Sequence, residues 1–259
     1  MLEELDLACG SDPRFMSRLD RKIARSVVVR TARLRVPRAV VSISFDDIPV
    51  SAATVGARIL EQENVRGTFF VASNLLSKRF GPWQFADMAQ VVGLHEAGHE
   101  IGCHTRSHAD GQILAPRDLQ DDIERNCASL TCAMPGLQIE TFAYPYGSVG
   151  CRQKPRVMDL FRSARGTHPA VNLPKLDTGQ LGSYTLNDAN TPQERLRELL
   201  AEAIANNGWL ILHTHDVADN PTPEGCSPGL LRQAIRLSRE AGCPVLPIKD
   251  VITKFTSVA

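Results

Sequence analysis

Ala39-Val40-Val41-Ser42-Ile43-Ser44-Phe45-Asp46-Asp47 is the stretch from which the fold can be read. Its β-branched and apolar residues read as a buried strand, and two adjacent carboxylates stand at the C-terminal end. A helical pattern follows over residues 52–63, with Val55, Ile59 and Leu60 on one face, and then a second apolar run over residues 67–71. The rhythm recurs. Further strands are expected over residues 100–103, 141–143, 209–212 and, last, 244–246. Further helices are expected over residues 85–97, 116–130, 192–206 and 228–240, with Thr191 as the N-cap of the third. Strand–helix units of about 30 residues build parallel sheets and barrels. The expectation is an α/β fold, a distorted (β/α) barrel. In such folds the C-terminal ends of the strands carry the chemistry, so motifs scattered in sequence converge there.

The chain has 259 residues, 43% of them hydrophobic, and a formal net charge of zero. That size suits one barrel with a sizeable core, and the neutral total gives no argument for a nucleic-acid partner. The charge is uneven, however. Residues 14–38 hold Arg14, Arg18, Arg21, Lys22, Arg25, Arg30, Arg33, Arg35 and Arg38 against the single acid Asp20. We therefore divide the chain into a basic amphipathic segment, residues 1–38, and a catalytic barrel, residues 39–259. On a helix Phe15, Leu19, Ile23 and Val27 form an apolar stripe opposite the basic residues, a pattern that suits peripheral contact with an anionic membrane or packing on the barrel. The seven cysteines are odd in number and contain no C-x-x-C pair, which reads as free thiols in a reducing compartment. The first residues are acidic, and no run approaches the ~20 apolar residues of a membrane span. A cytoplasmic protein is expected. The sequence carries no signal for the oligomeric state.

Asp46 and Asp47 are like charges side by side, costly unless a cation or a proton compensates, although Asp-Asp-Ile-Pro also makes a plain turn. His104 and His108 are spaced as one helical turn, which turns both rings towards one cation. Two histidines and an aspartate, with positions left for water, make a catalytic metal set. A rival motif overlaps. His95-Glu96-Ala97-Gly98-His99 matches H-E-x-x-H, the zinc-protease pattern, but Gly98 is a poor helix interior residue. A helix that ends at Gly98 with a strand after it reads better.

Together these segments resemble the polysaccharide deacetylase family, carbohydrate esterase family 4. Ser44-Phe45-Asp46-Asp47 resembles its first motif, usually T-F-D-D-G, and Gly67-Thr68-Phe69-Phe70-Val71 its following strand. Gly98 to His108 resembles the second motif, Phe142-Ala143-Tyr144-Pro145-Tyr146-Gly147 the third, and Leu210 to Asp216 the fifth. The resemblance implies a barrel of about seven strands and deacetylation of N-acetylated amino sugars, in a lipid-linked or soluble saccharide precursor. It implies a divalent metal, most often Zn2+, on Asp47, His104 and His108, with Asp46 as general base and His215 as general acid. Tyr146 would supply an oxyanion N–H, with Pro145, Tyr144 and His213 as further substrate-side or packing residues and Trp209 as a second candidate aromatic. Two departures stand out. Ala143 replaces the third-motif arginine that orients the base, as in a Phe-Ala-Tyr-Pro-Tyr-Gly branch; Arg165 is the candidate replacement from another strand end, a surface arginine the alternative. The fourth motif, Asp with Trp, has no clear counterpart, which leaves Asp177 and Asp188 as candidate partners of the acid histidine. Competing activities are deacylation of a formamido sugar or a cyclic amide, and an inactive saccharide-binding module.

Overall fold

A computed structural model describes residues 23–258. The first strand, β1 (Thr31–Leu34), is followed by β2 (Val40–Asp46), β3 (Thr68–Val71), a hairpin of β4 (Arg79–Phe80) and β5 (Trp83–Gln84), then β6 (Glu100–Cys103), β7 (Thr141–Ala143) and β8 (Ser163–Arg165). The last four are β9 (Lys175–Asp177), β10 (Tyr184–Thr185), β11 (Trp209–Thr214) and β12 (Thr256–Val258). Seven of these form one parallel sheet in the order β10-β11-β2-β3-β6-β7-β8, curled into an open, distorted barrel. The expected fold is the observed one.

The period of two along each strand divides the core. In β2, Val41, Ile43 and Phe45 face the outer helices, in a cluster with Phe69, Ile59, Leu60, Leu231 and Ile235. Val40, Ser42, Ser44 and Asp46 alternate with them and face the barrel interior. There Phe70, Ala143, Leu181, Trp209 and Ile211 pack on Ile248, Val251 and Ile252 of the C-terminal helix Ile248–Phe255. That helix closes the N-terminal end of the barrel. Thr68 Oγ1 accepts the Ile248 N–H (2.9 Å) and donates to Glu100 Oε2 (2.7 Å), which also accepts the Lys249 N–H (2.9 Å). Burial raises the Glu100 pKa, and its bonds from Thr141, Lys249 and Thr68 offset part of the rise.

Two expectations change. Residues 244–246 make one parallel bridge, Val41 to Val245, and no strand; the chain turns there into the closing helix. Thr191 does not cap the helix Gln193–Ala205, whose N-cap is Pro192. Its hydroxyl folds back on the Asn187 and Thr185 carbonyls (2.9 and 3.1 Å). Within the expected basic segment, β1 pairs antiparallel with both β9 and β12, so residues 31–34 are part of the folded body. Of the amphipathic stripe, Phe15 and Leu19 lie outside the described residues, while Ile23 and Val27 are exposed. The Lys154 ammonium, fully buried, donates to the Ala24 and Val27 carbonyls (3.0 and 2.6 Å) and pairs with Asp177 (2.6 Å).

Gly102 faces the interior beside Phe70. A Cβ at this position would lie 2.5 Å from two ring carbons of Phe70 and 3.0 Å from Thr141 Oγ1. Gly102→Ala should therefore lower stability by about 1–3 kcal/mol through overpacking, read as a lower urea midpoint at unchanged m-value.

Candidate metal and acid–base site

The strand ends bring the sequence motifs together at one opening of the barrel. Asp46 is the last residue of β2, level with Phe70 on β3; Cys103, next to His104, pairs with Phe142 of β7; Ala143 pairs with Arg165 of β8. Past β2 the chain turns sharply. Asp47 has φ 61° and Ile48 φ 53°, and the Ile48 N–H donates back to the Asp46 carbonyl at 2.6 Å. This three-residue turn aims the two neighbouring carboxylates apart. His104 and His108 also converge through a loop rather than the expected helical turn, with Thr105 at φ 59° and His108 at φ 55°. Asp122, on the helix Pro116–Ala133, fixes that loop by accepting the Arg106 and Ser107 N–H groups (2.7 and 3.0 Å).

Asp47 Oδ1 lies 3.6 Å from His104 Nε2 and 3.2 Å from His108 Nε2, and among the described residues these three side chains form the one group placed to share a cation. Asp47 Oδ1 is buried and has no hydrogen-bond partner. His104 Nδ1–H donates to the Ala143 carbonyl (2.8 Å), which leaves the Nε2 lone pair facing Asp47. Burial, reinforced by His104, pushes the His108 pKa down to about 4, so this ring is neutral at pH 7. An orphaned carboxylate oxygen facing the Nε2 atoms of two imidazoles is the donor set of a divalent metal site, and the residues fit one.

Asp46 faces the other way. Arg165, wholly buried, reaches it from β8, with Nη2 2.5 Å from both carboxylate oxygens. Nη1 donates to the Gly166 carbonyl (3.0 Å), and the guanidinium lies 5.2 Å from the Phe70 ring centre. Burial alone would raise the Asp46 pKa; Arg165, then His104, His215 and His213, override it and hold the carboxyl well below the usual carboxylate range. Arg165, on the strand next to Ala143, thus supplies a buried positive charge beside Asp46.

His215 stands just beyond the end of β11. Its Nε2 is 4.0 Å from Asp47 Oδ2, and its Nδ1–H donates to the Glu224 carbonyl at 3.2 Å. Trp83, from the β4–β5 hairpin, stacks on it at 5.3 Å with the ring planes 4° apart. A cavity of about 710 Å³ opens over these groups, with Phe80, Trp83, Phe85 and Tyr146 on its walls. Trp83 was not singled out in the sequence, where residues 72–84 belong to no expected element.

Other candidates lie away from the opening. Tyr144 is buried with its hydroxyl on the Gly179 carbonyl (2.9 Å), Pro145 is buried beside it, and Trp209 donates to Ser42 Oγ (2.9 Å) in the interior; these three are packing residues. Tyr146, by contrast, lines the opening at φ 57°, its ring edge-on to His108 at 4.6 Å. His213 is buried between Ser183 Oγ (2.9 Å) and Thr185 Oγ1 (3.2 Å), and burial followed by Arg165 pushes its pKa down to about 3. It is a neutral framework residue. Asp177 pairs with Lys154, and Asp188 accepts from Ser227 N and Oγ (2.7 and 2.6 Å), so neither serves His215. The H-E-x-x-H match fails as a helix. Gly98, at φ 87°, lies past the end of Met88–Glu96, and His99 is buried with Nδ1 accepting the Gly67 N–H (3.1 Å).

Residues 33–159 match the sequence profile of the family described as Polysaccharide deacetylase. The chain belongs to the polysaccharide deacetylase family. Among solved structures, the chitin deacetylase of the fungal pathogen Colletotrichum lindemuthianum aligns at a TM-score of 0.61 and 18% identity, over 87% of this chain and 93% of that one. A family 4 acetyl xylan esterase from Clostridium thermocellum, in complex with a cobalt ion, aligns at 0.57 and 22%, over 83% and 90%. A CE4 family pseudoenzyme from Bacillus anthracis aligns at 0.58 and 16%, over 83% and 66%. At these identities the likeness is one of fold. No curated protein sequence matches significantly. In this deacetylase-family chain the profile match spans Asp46, Asp47, His104 and His108 and ends before Arg165 and His215.

Arg165→Met leaves a buried carboxylate without its partner and should cost about 3–5 kcal/mol at neutral pH. The pH sign follows from the depressed Asp46 pKa. Its contribution is present above about pH 4, the unfolded value, and is lost on acidification. In the variant burial dominates and lifts that pKa, so the stability gap should narrow below about pH 4. Urea unfolding of both proteins at pH 7 and pH 3.5 (about the middle of the ordinary Asp range) checks it; a gap that widens in acid contradicts it.

Proposed function

We propose that the protein is a metal-dependent deacetylase that hydrolyses the N-acetyl amide of an amino sugar in a soluble or lipid-linked saccharide precursor. The observation that carries this reading is the partnerless Asp47 Oδ1 between the Nε2 atoms of His104 and His108, flanked by an ionised Asp46 and by His215. Zinc suits two imidazoles and a carboxylate with positions left open. Such an ion supplies Lewis acidity, polarising the amide oxygen and making a water acidic.

The side chains supply the rest. Asp46 accepts the proton of the attacking water as general base. Arg165 keeps that carboxylate charged and fixes its orientation, at the expense of some basicity. The oxyanion that forms on the acetyl carbon takes a hydrogen bond from the Tyr146 N–H. An amine leaves poorly unless protonated, and His215, with Nδ1–H committed to the Glu224 carbonyl, presents Nε2 to donate. Aromatic walls at Phe80 and Tyr146 suit the apolar faces of a sugar ring. Cys103, Cys127, Cys132, Cys226 and Cys243 are free thiols, which favours a reducing, cytoplasmic setting. Assembly of all five groups around one cavity favours an enzyme over an inactive binding module.

His104→Ala should lose most of its bound metal and all measurable deacetylation, whereas Asp46→Asn should retain metal and lose turnover by roughly 10²–10⁴. Metal analysis of the purified variants and acetate release from N-acetylated sugars decide both. Full occupancy in His104→Ala, or near-normal turnover in Asp46→Asn, would sink the assignment. Stripping metal with a chelator should abolish wild-type activity, and zinc should restore it.

A further inference from the structure

We propose that Trp83 is the positioning residue of His215, holding the imidazole where it can protonate the leaving nitrogen; this rests on the hydrolase reading above. His215 lies past the end of β11, and no strand bond fixes its ring. Two contacts do. One edge donates to the Glu224 carbonyl, and one face lies on the Trp83 indole with the planes nearly parallel. Trp83 is itself fixed. Its Nε1–H donates to Asp216 Oδ1 (3.0 Å), and the same carboxylate accepts the Thr222 N–H (2.9 Å) and hydroxyl (2.5 Å). That folds the loop back so that Glu224 meets His215. Gly225 makes the fold possible, because a Cβ there would lie 2.3 Å from Asp216 Oδ1.

The hairpin that carries Trp83 is fastened to the metal side of the site. Phe85 N–H donates to the Lys78 carbonyl (2.9 Å), Ser77 N–H to that of Ala86 (2.9 Å), and Ala86 N–H to that of Ile48 (3.0 Å), one residue beyond Asp47. One indole thus ties the turn that aims Asp47 to the loop that holds His215. The distance between metal set and acid depends on it. Its role is to hold another group in place, and such a residue should change turnover while leaving affinity nearly alone.

The test compares two leaving groups. An N-acetyl sugar needs its amine protonated; 4-nitrophenyl acetate expels a stable phenolate and needs no acid. Trp83→Leu should lower kcat for the amide on the order of 10²-fold, the loss expected of a reacting group misplaced by about 1 Å. Its KM, its metal content and its ester hydrolysis should stay within about threefold of the wild type, since nothing at the transition-state oxyanion or the metal set is removed. Trp83→Phe keeps an aromatic face and should recover amide turnover to within about tenfold. Equal losses on amide and ester, or a rise in KM alone, would overturn the proposal and make Trp83 a structural or substrate-contacting wall. A second readout needs no turnover. The other tryptophan, Trp209, is buried far from His215, so His215→Ala should change the indole emission of the wild type but not that of Trp83→Phe. Unchanged wild-type emission overturns the contact. A wild type inert towards both substrates overturns the hydrolase reading instead, while the emission pair still decides whether Trp83 holds His215.

Discussion

The ion pair between Asp46 and Arg165 is the constraint on which the site depends. The two residues lie 119 positions apart, on β2 and β8, with β3, β6 and β7 between them in the sheet. The guanidinium therefore crosses the interior of the curled sheet rather than bridging neighbours. Such a pair is a poor source of net stability, because desolvation consumes most of the Coulomb gain. Its effect is on chemistry. A carboxylate buried without a cation would take up a proton, and a protonated Asp46 is no base. Gly102 and Phe70 belong to the same device, since the bare glycine makes room for the ring on which Arg165 lies.

Backbone strain is concentrated around the opening. Of eight non-glycine residues with positive φ among the described residues, five are Asp47, Ile48, Thr105, His108 and Tyr146. A β-branched residue such as Ile48 rarely adopts that conformation, and strain of this kind persists only where surrounding bonds over-determine it. Those bonds are visible: Ala86 N–H on the Ile48 carbonyl, and the Asp122 carboxylate across Arg106 and Ser107. The consequence is geometric. A relaxed strand end would send Asp46 and Asp47 to opposite faces of the sheet. The turn keeps both at the opening, Asp47 towards His104 and His108 and Asp46 towards Arg165.

Much of this was legible in sequence because the informative signals are local. Periodicity marks the strands of the parallel sheet, and Asp47, His104 and His108 sit in short motifs whose chemistry needs no knowledge of distant residues. Arg165 could be named but not decided, since only the curl of the sheet brings β8 across to β2. Trp83 was invisible for the same reason; a tryptophan in an exposed hairpin has no period. Tyr144 and Trp209 could have been read better. Alternation places Phe142 and Tyr144 on the face opposite Ala143, away from the interior, and Trp209 opens β11 at the end far from the chemistry. The strand at residues 244–246 failed because an apolar run of three serves equally well as the approach to a helix, and the capped helix Ile248–Phe255 won.

The division of labour along the chain follows from these placements. The first half, through the loop after β6, supplies both carboxylates and both histidines of the proposed metal set; the second half supplies Arg165 and His215, to which the proposed reaction gives the control of Asp46 and the second proton transfer. Asp46 is dry and charge-paired, which keeps it ionised. His215 is partly exposed on a loop and bonded to a neutral carbonyl, with no carboxylate on Nδ1. The proposed base and acid thus differ in burial and in the charge of their nearest partner, the two levers by which one site can hold groups in opposite roles. Neither half suffices alone. On the proposed reading, the metal set without Arg165 would sit beside a protonated Asp46, and without the loop from His215 to Glu224 the leaving amine would have no proton donor.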